Sequence, residues 1–272
     1  MASIAVPTIA SETITMIGPL EVRNTLVMAW LAMLVLIGVA LLARRTKFTL
    51  IPGRFQSLME MIVEGLFDFF DSILQDRALT RKIFPMVATF FLFIIIANWM
   101  GILPGVGSIT VMGMHEGHPL RIPLLRSMNA DVNVTLAFAL ISMVVTQVLG
   151  IAAVGIGPYV SKYIVPPWKS PIGTFVGILE FVGEFARLIS FAFRLFGNIF
   201  AGEVLLVVVT YLVPYLIPVP FLGLEIFVGF IQALVFSLLT LAFIKIAITP
   251  HGDHAEDAHA GPHGGAAAPA TP

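Results

Sequence analysis

The last two long apolar stretches of the chain carry nine charged or amide side chains. Glu180, Glu184, Arg187, Arg194, Asn198 and Glu203 lie in the first of them, and Glu225, Gln232 and Lys245 in the second. A charge at the centre of a membrane helix costs about 2.5 to 3.5 kcal/mol. Several in two neighbouring helices therefore point to a route for protons or ions. Carboxylates can take up and release a proton as their surroundings shift their pKa, whereas a guanidinium stays charged. The chemistry suggested is proton transfer along carboxylates, divided by a cation that cannot itself conduct.

Helical geometry separates these groups by face and by depth. Arg194 is fourteen positions after Glu180, which turns it by about 40° and moves it about 21 Å along the axis. Arg187 falls midway on the same stripe. Glu203 is nine positions beyond Arg194, about 180° away and about 13.5 Å further on. Glu225 and Gln232, seven apart, share a face of the next helix. Two separate polar routes follow: Glu203 with Glu225 and Gln232 in one aqueous pocket, and Glu180 with Glu184 in another. Arg194 stands between them and would favour the ionised form of a carboxylate brought past it by another protein. Glu184 and Arg187, three apart, suit a local ion pair. Asn198 and Gln232 could bond to each other across helices, and Lys245 is expected to snorkel.

The elements that position these groups are membrane spans. Of 272 residues, 58% are hydrophobic and only 11% charged, less than half the charged fraction of about 25% usual in a soluble domain. A crossing needs roughly 20 residues, and five apolar runs meet this length, at about 24–43, 84–103, 132–156, 172–213 and 220–248. The expected fold is an all-α polytopic membrane protein whose last two helices form a long hairpin. The fourth run is too long for one perpendicular crossing, so it must tilt strongly or bend. Between the first two runs, "FQSLMEMIVEGLFDFFDSILQD" sets Glu60, Glu64, Asp68 and Asp71 opposite Leu58, Met61, Ile62, Leu66 and Phe69. This predicts an amphipathic helix at an interface or against a partner helix. Residues 249–272 are rich in His, Ala, Gly and Pro without apolar periodicity, and a disordered tail is expected.

Charge distribution orients the spans and excludes some partners. Seven Lys and Arg lie between the first two runs: Arg44, Arg45, Lys47, Arg54, Arg77, Arg81 and Lys82. The next connection has Arg121 and Arg126, and the segment before the first run has Arg23 alone. The positive-inside rule puts the N-terminus outside and the C-terminus in the cytoplasm. The N-terminal segment lacks the basic n-region of a signal peptide, and the first apolar run is read as a retained anchor. A net charge of −1 with no basic patch argues against nucleic acid, and no "GxxxxGK[ST]" loop is present to hold a nucleotide. With no cysteine and only the irregularly spaced His251, His254, His259 and His263, no metal site is expected. An independent transporter would be expected to show an internal repeat around a midplane site, which five spans do not suggest. A pure scaffold would not need an arginine flanked by offset acids.

The stretch "RLFGNIFAGE", Arg194 to Glu203, resembles the signature of subunit a of F-type ATP synthase, the stator facing the rotating c ring of the Fo sector. "NADVNVTLAFAL", "ANWMGILPG" and "IQALVFSLLTL" are similar to other segments of that family. The resemblance implies that the essential arginine is Arg194, its helper amide Asn198, the outer half-channel acid Glu203 and the last-helix glutamine Gln232. It further implies that Glu180 is the cytoplasmic half-channel acid, with Asp131 in the matching "ADVNVT" stretch. Where many relatives carry an imidazole beside the outer acid, this chain has Glu225; two nearby carboxylates should titrate as a coupled pair. The resemblance also implies a cell membrane location and partnership with the c ring and the b subunits of the peripheral stalk. It implies no cofactor and no catalysis by the chain alone.

Overall fold

The computed structural model describes residues 11–249 except 19, 47–51, 104, 107–108, 116–117, 165, 167, 169 and 214–215. The histidine-rich tail lies outside the described residues, as does Lys47. Seven helices dominate: α1 (Asn24–Arg45), α2 (Arg54–Leu74), α3 (Arg77–Ile102), α4 (Val132–Val154), α5 (Ile156–Tyr163), α6 (Pro171–Leu212) and α7 (Pro218–Ile248). Five of them, α1, α3, α4, α6 and α7, are long and apolar enough to cross a membrane. This is the architecture of an α-helical polytopic membrane protein.

Local chemistry explains where the helices begin and end. α3 starts seven residues before the apolar run expected at 84, because the Asp76 carboxylate accepts from the backbone N–H groups of Ala78 and Leu79. That N-cap satisfies orphan donors and lets the basic turn of Arg77, Arg81 and Lys82 join the helix. α4 stops at Val154, two residues short of expectation, where Gly155 adopts φ 91°. Ser170 caps α6 through the Gly173 N–H, and Pro171 occupies its first turn. The 42 residues of α6 then run without a break in the helical ladder. About 63 Å of helix against about 30 Å of hydrocarbon leaves tilt as the way to lie in a bilayer.

Two features depart from expectation. A four-stranded antiparallel sheet, β1 (Thr13–Ile17), β2 (Leu20–Arg23), β3 (Thr110–His115) and β4 (His118–Pro123), joins the segment before α1 to the connection after α3 in the order β2-β1-β3-β4. Each strand is short and polar-flanked, so the hydropathy pattern concealed it. α2 is the expected amphipathic helix, but only part of the apolar face that the helical spacing assigned, Ile62 and Leu66, is covered. Leu66, Phe70 and Leu74 pack on Ile83 and Val87 of α3 and Leu241 and Ile244 of α7. Leu58, Met61 and Phe69 remain exposed, because the docking face follows the i, i+4 row ending at the buried Leu74.

The main core lies between α3, α4, α6 and α7. Phe90, Ile94, Ala139, Phe191, Leu195 and Phe236 bury together, and Phe236 takes edge-to-face contacts from Phe90 and Phe191 at centroid distances of 5.6 and 5.0 Å. Such aromatic pairs fix helix rotation as well as spacing. The polar residues of α6 and α7 are thereby held in defined directions.

Candidate functional site

Rotation of α6 sends its polar groups to three places. At the end nearest the sheet, Glu203 meets Glu225 of α7 in a cavity of about 200 Å³ also lined by Asn98, Ser127, Ile199 and Arg126. Arg126 belongs to the connection between β4 and a 3-10 turn at Met128–Ala130. Its Nε donates to Glu203 Oε1 and Oε2 at 3.0 and 3.2 Å, and its Nη2 donates to Oε2 at 3.2 Å. In the sequence Arg126 shows itself only as a loop charge. A basic residue five positions before the Asp131 cap was its only visible signal, and no spacing rule links it to a residue 77 positions away.

Glu225 is 9% exposed, and its Oε2 has no hydrogen-bond partner among the described residues. Its carboxyl lies against α6 at Gly202, where an added Cβ would come within 2.6 Å of Glu225 Oε1. Glycine makes room there for the close approach of a side chain, and its backbone angle is ordinary. Around the cavity, Asn129 donates to Asn98 at 2.6 Å, and Asn98 donates to the Gly229 carbonyl of α7 at 3.1 Å. Trp99 adds a bond to the Ile226 carbonyl at 3.1 Å. These amides tie the Arg126 connection to α3 and α7.

In the middle of α6, Arg194 is exposed, and its one hydrogen bond among the described residues is a 3.4 Å contact to the Ser190 hydroxyl. Asn198, one turn on, donates to Gln232 of α7. Gln232 is thus engaged with the amide beside Arg194 and does not join the wall formed by Glu203 and Glu225 as expected. At the other end, Glu184 accepts from Arg187 at 2.9 Å, the local pair that the spacing suggested. Glu184 also lines a groove of about 470 Å³ with Gln147, Tyr163, Ile178 and Phe185. Glu180, half-buried one turn earlier, does not line this groove with Glu184 as expected. Burial first, and then the Glu184 and Glu180 carboxylates, raise the Tyr159 hydroxyl above its ordinary pKa.

Two residues lie apart from these three places. Asp131 caps α4, accepting from the Asn133 N–H at 2.9 Å and from the hydroxyls of Ser11 and Thr25. Burial raises its pKa, but the four hydrogen bonds from Ser11, Asn133 and Thr25 outweigh that and hold it below the usual carboxylate value. Lys245 is part-buried, and its Nζ donates to the Ile73 carbonyl of α2 at 2.8 Å. Among the described residues, no cluster of His, Asp and Glu could hold a metal ion.

A five-span helical membrane protein with carboxylates buried in two of its spans, and a cation exposed between them, belongs to the class of integral membrane proteins that handle protons or ions. Comparison with known proteins narrows this class. Residues 26–245 match the family model described as ATP synthase A chain. The chain is 36% identical over 239 residues to ATP synthase subunit a of Gloeobacter violaceus, covering 88% of this chain and 89% of that one. It is 38% identical over 208 residues to ATP synthase subunit a of Desulfotalea psychrophila, covering 74% and 77%. For ATP synthase subunit a of Syntrophobacter fumaroxidans, the identity is 34% over 221 residues, covering 80% and 82%. The chain belongs to the ATP synthase A chain family.

Proposed function

We propose that this chain is the proton-translocating stator of an ATP synthase Fo sector, offering two offset half-channels separated by Arg194 to a rotating ring of c subunits. The observation that carries this reading is the position of Arg194. Its guanidinium is exposed on α6 and paired with no acid among the described residues, between the cavity at Glu203 and the groove at Glu184. Around it Ala186, Ser190, Asn198 and Ala201 are uncovered. Such a face lets another helix approach closely. A fixed cation there favours the ionised form of a passing carboxylate.

In operation, a ring carboxylate next to Arg194 is ionised. It takes a proton delivered through the cavity lined by Glu203 and Glu225, becomes neutral, and turns into the lipid. After a revolution it meets the other route, where Glu180 and Glu184 accept its proton, and returns ionised to Arg194. The cation blocks direct passage, so proton flow requires rotation. The Asn198–Gln232 pair fixes the polar surface beside Arg194, and Asp131 fixes the start of α4 behind the cavity. The N-terminus and the Glu203 cavity then lie outside, and the C-terminus and Glu184 groove face the cytoplasm, following the seven basic residues between the first two apolar runs. The b subunits of the peripheral stalk hold the chain against rotation. The chain by itself catalyses nothing and binds no nucleotide.

The test is Arg194→Ala in the assembled complex, with ATP-driven proton pumping measured in inverted membrane vesicles. Loss of coupled pumping is expected, and pumping at the wild-type rate overturns the reading.

A further inference from the structure

The two carboxylates of the cavity at the sheet end are chemically unequal. Arg126 has only 4% of its side chain exposed and grips both oxygens of Glu203. A guanidinium does not release its proton in a protein, so protonating Glu203 would break a buried, multiply hydrogen-bonded ion pair, which is strongly unfavourable. Glu225 has no such restraint. It is buried, its Oε2 lacks any hydrogen-bond partner among the described residues, and it lines the same cavity. The charged groups facing it are Glu203 from α6 and, beyond that carboxylate, Arg126 from the connection before the 3-10 turn. Glu12 acts more distantly, on Glu203. Since Arg126 and Glu203 cancel, the cavity is electrically neutral when Glu225 holds a proton and carries one negative charge when it does not. A space of about 200 Å³ has room for several waters at about 30 Å³ each, enough for a proton to reach the carboxyl from solvent.

We propose that Glu225 is the residue that carries the proton in this cavity, and that Glu203 is a fixed anion held by Arg126, which acts as a positioning residue. The assignment rests on the stator reading above. In each passage Glu225 takes a proton from cavity water, and its O–H bond then breaks as the proton passes to the ionised ring carboxylate. Glu225 returns to a carboxylate while the Arg126–Glu203 pair keeps its charges throughout.

Charge-pair substitution in the assembled complex tests this, with ATP-driven pumping read by fluorescence quenching in inverted vesicles that retain the c subunits. Glu225→Gln is expected to lower pumping by roughly a hundredfold, the usual worth of a proton-transferring group, and Glu225→Asp to restore part of it with a shifted pH profile. Glu203→Gln alone should be severe, because it removes one charge of a buried ion pair and leaves the other. The double substitution Arg126→Gln with Glu203→Gln removes both charges and should pump several-fold faster than Glu203→Gln alone, with the wild-type pH profile. A double variant no faster than the single, or Glu225→Gln pumping near the wild-type rate, overturns the assignment. Arg194→Ala in the same vesicles separates the two levels. If it pumps, the stator reading fails; if it does not while Glu225→Gln does, only the assignment to Glu225 fails.

Discussion

Replacing Gly202 by Ala should damage transport while leaving the fold intact or slightly firmer. The new methyl would lie 2.6 Å from Glu225 Oε1 and 3.0 Å from its Cδ. Ordinary van der Waals contact begins near 3.4 Å, so the carboxyl has to retreat by about 0.8 Å, a shift that the steep repulsive wall enforces. The obstacle is the end of a flexible side chain, so the backbone of α6 need not move. Helix propensity even favours Ala over Gly, by up to about 1 kcal/mol. Proton transfer responds to displacement far more sharply: a misplacement of about 1 Å can lower a rate by about a hundredfold. The expected result is a thermal melt of the purified complex that is unchanged or raised by a degree or two, with pumping reduced roughly tenfold. Wild-type pumping by Gly202→Ala refutes the idea that the seat of Glu225 against α6 matters. A collapse of both stability and assembly refutes the local account of the contact.

Two further substitutions probe the supports of the site. Lys245→Met removes the bond from Nζ to the Ile73 carbonyl, and should cost about 1.5 to 3 kcal/mol, the worth of a hydrogen bond to a charged group; loosening of α2 is read by faster amide hydrogen exchange over residues 66–74. Asp131→Ala removes the cap of α4 and should lower stability by about 0.5 to 2 kcal/mol in a denaturant or thermal melt. The folded-state pKa of Asp131 is depressed, so its charge-dependent stabilisation is complete above the ordinary value of about 3.9 and is lost as pH falls below it through the folded pKa. The gap between wild type and variant should therefore be constant at neutral pH and narrow in acid.

Hydropathy, charge counts and helical periodicity were enough to reveal five spans, the amphipathic α2, and the separation of Glu203 from Arg194 by half a turn of helix. These are local properties, legible because a lipid environment forces each crossing to satisfy its own backbone within one helix. The Glu184–Arg187 pair was legible for the same reason, being three residues apart. Everything that depends on which helix faces which required the tertiary structure. Arg126 finds Glu203 only because the connection after β4 folds back over α6, and Gln232 turns to Asn198 because the rotation of α7 is fixed by Phe236 against Phe90 and Phe191. On α2, Leu66 docks together with Phe70 and Leu74 while Leu58, Met61 and Phe69 stay exposed, because of the surface that α3 and α7 present. Lys245 likewise bonds to the Ile73 carbonyl because packing brings the end of α2 against α7. The sequence by itself determined that buried charges lie in the last two spans and how they are spaced along each helix. Only the tertiary structure decided which carboxylate has a counter-ion and which has none, because pairing across helices depends on packing that no single-helix period encodes.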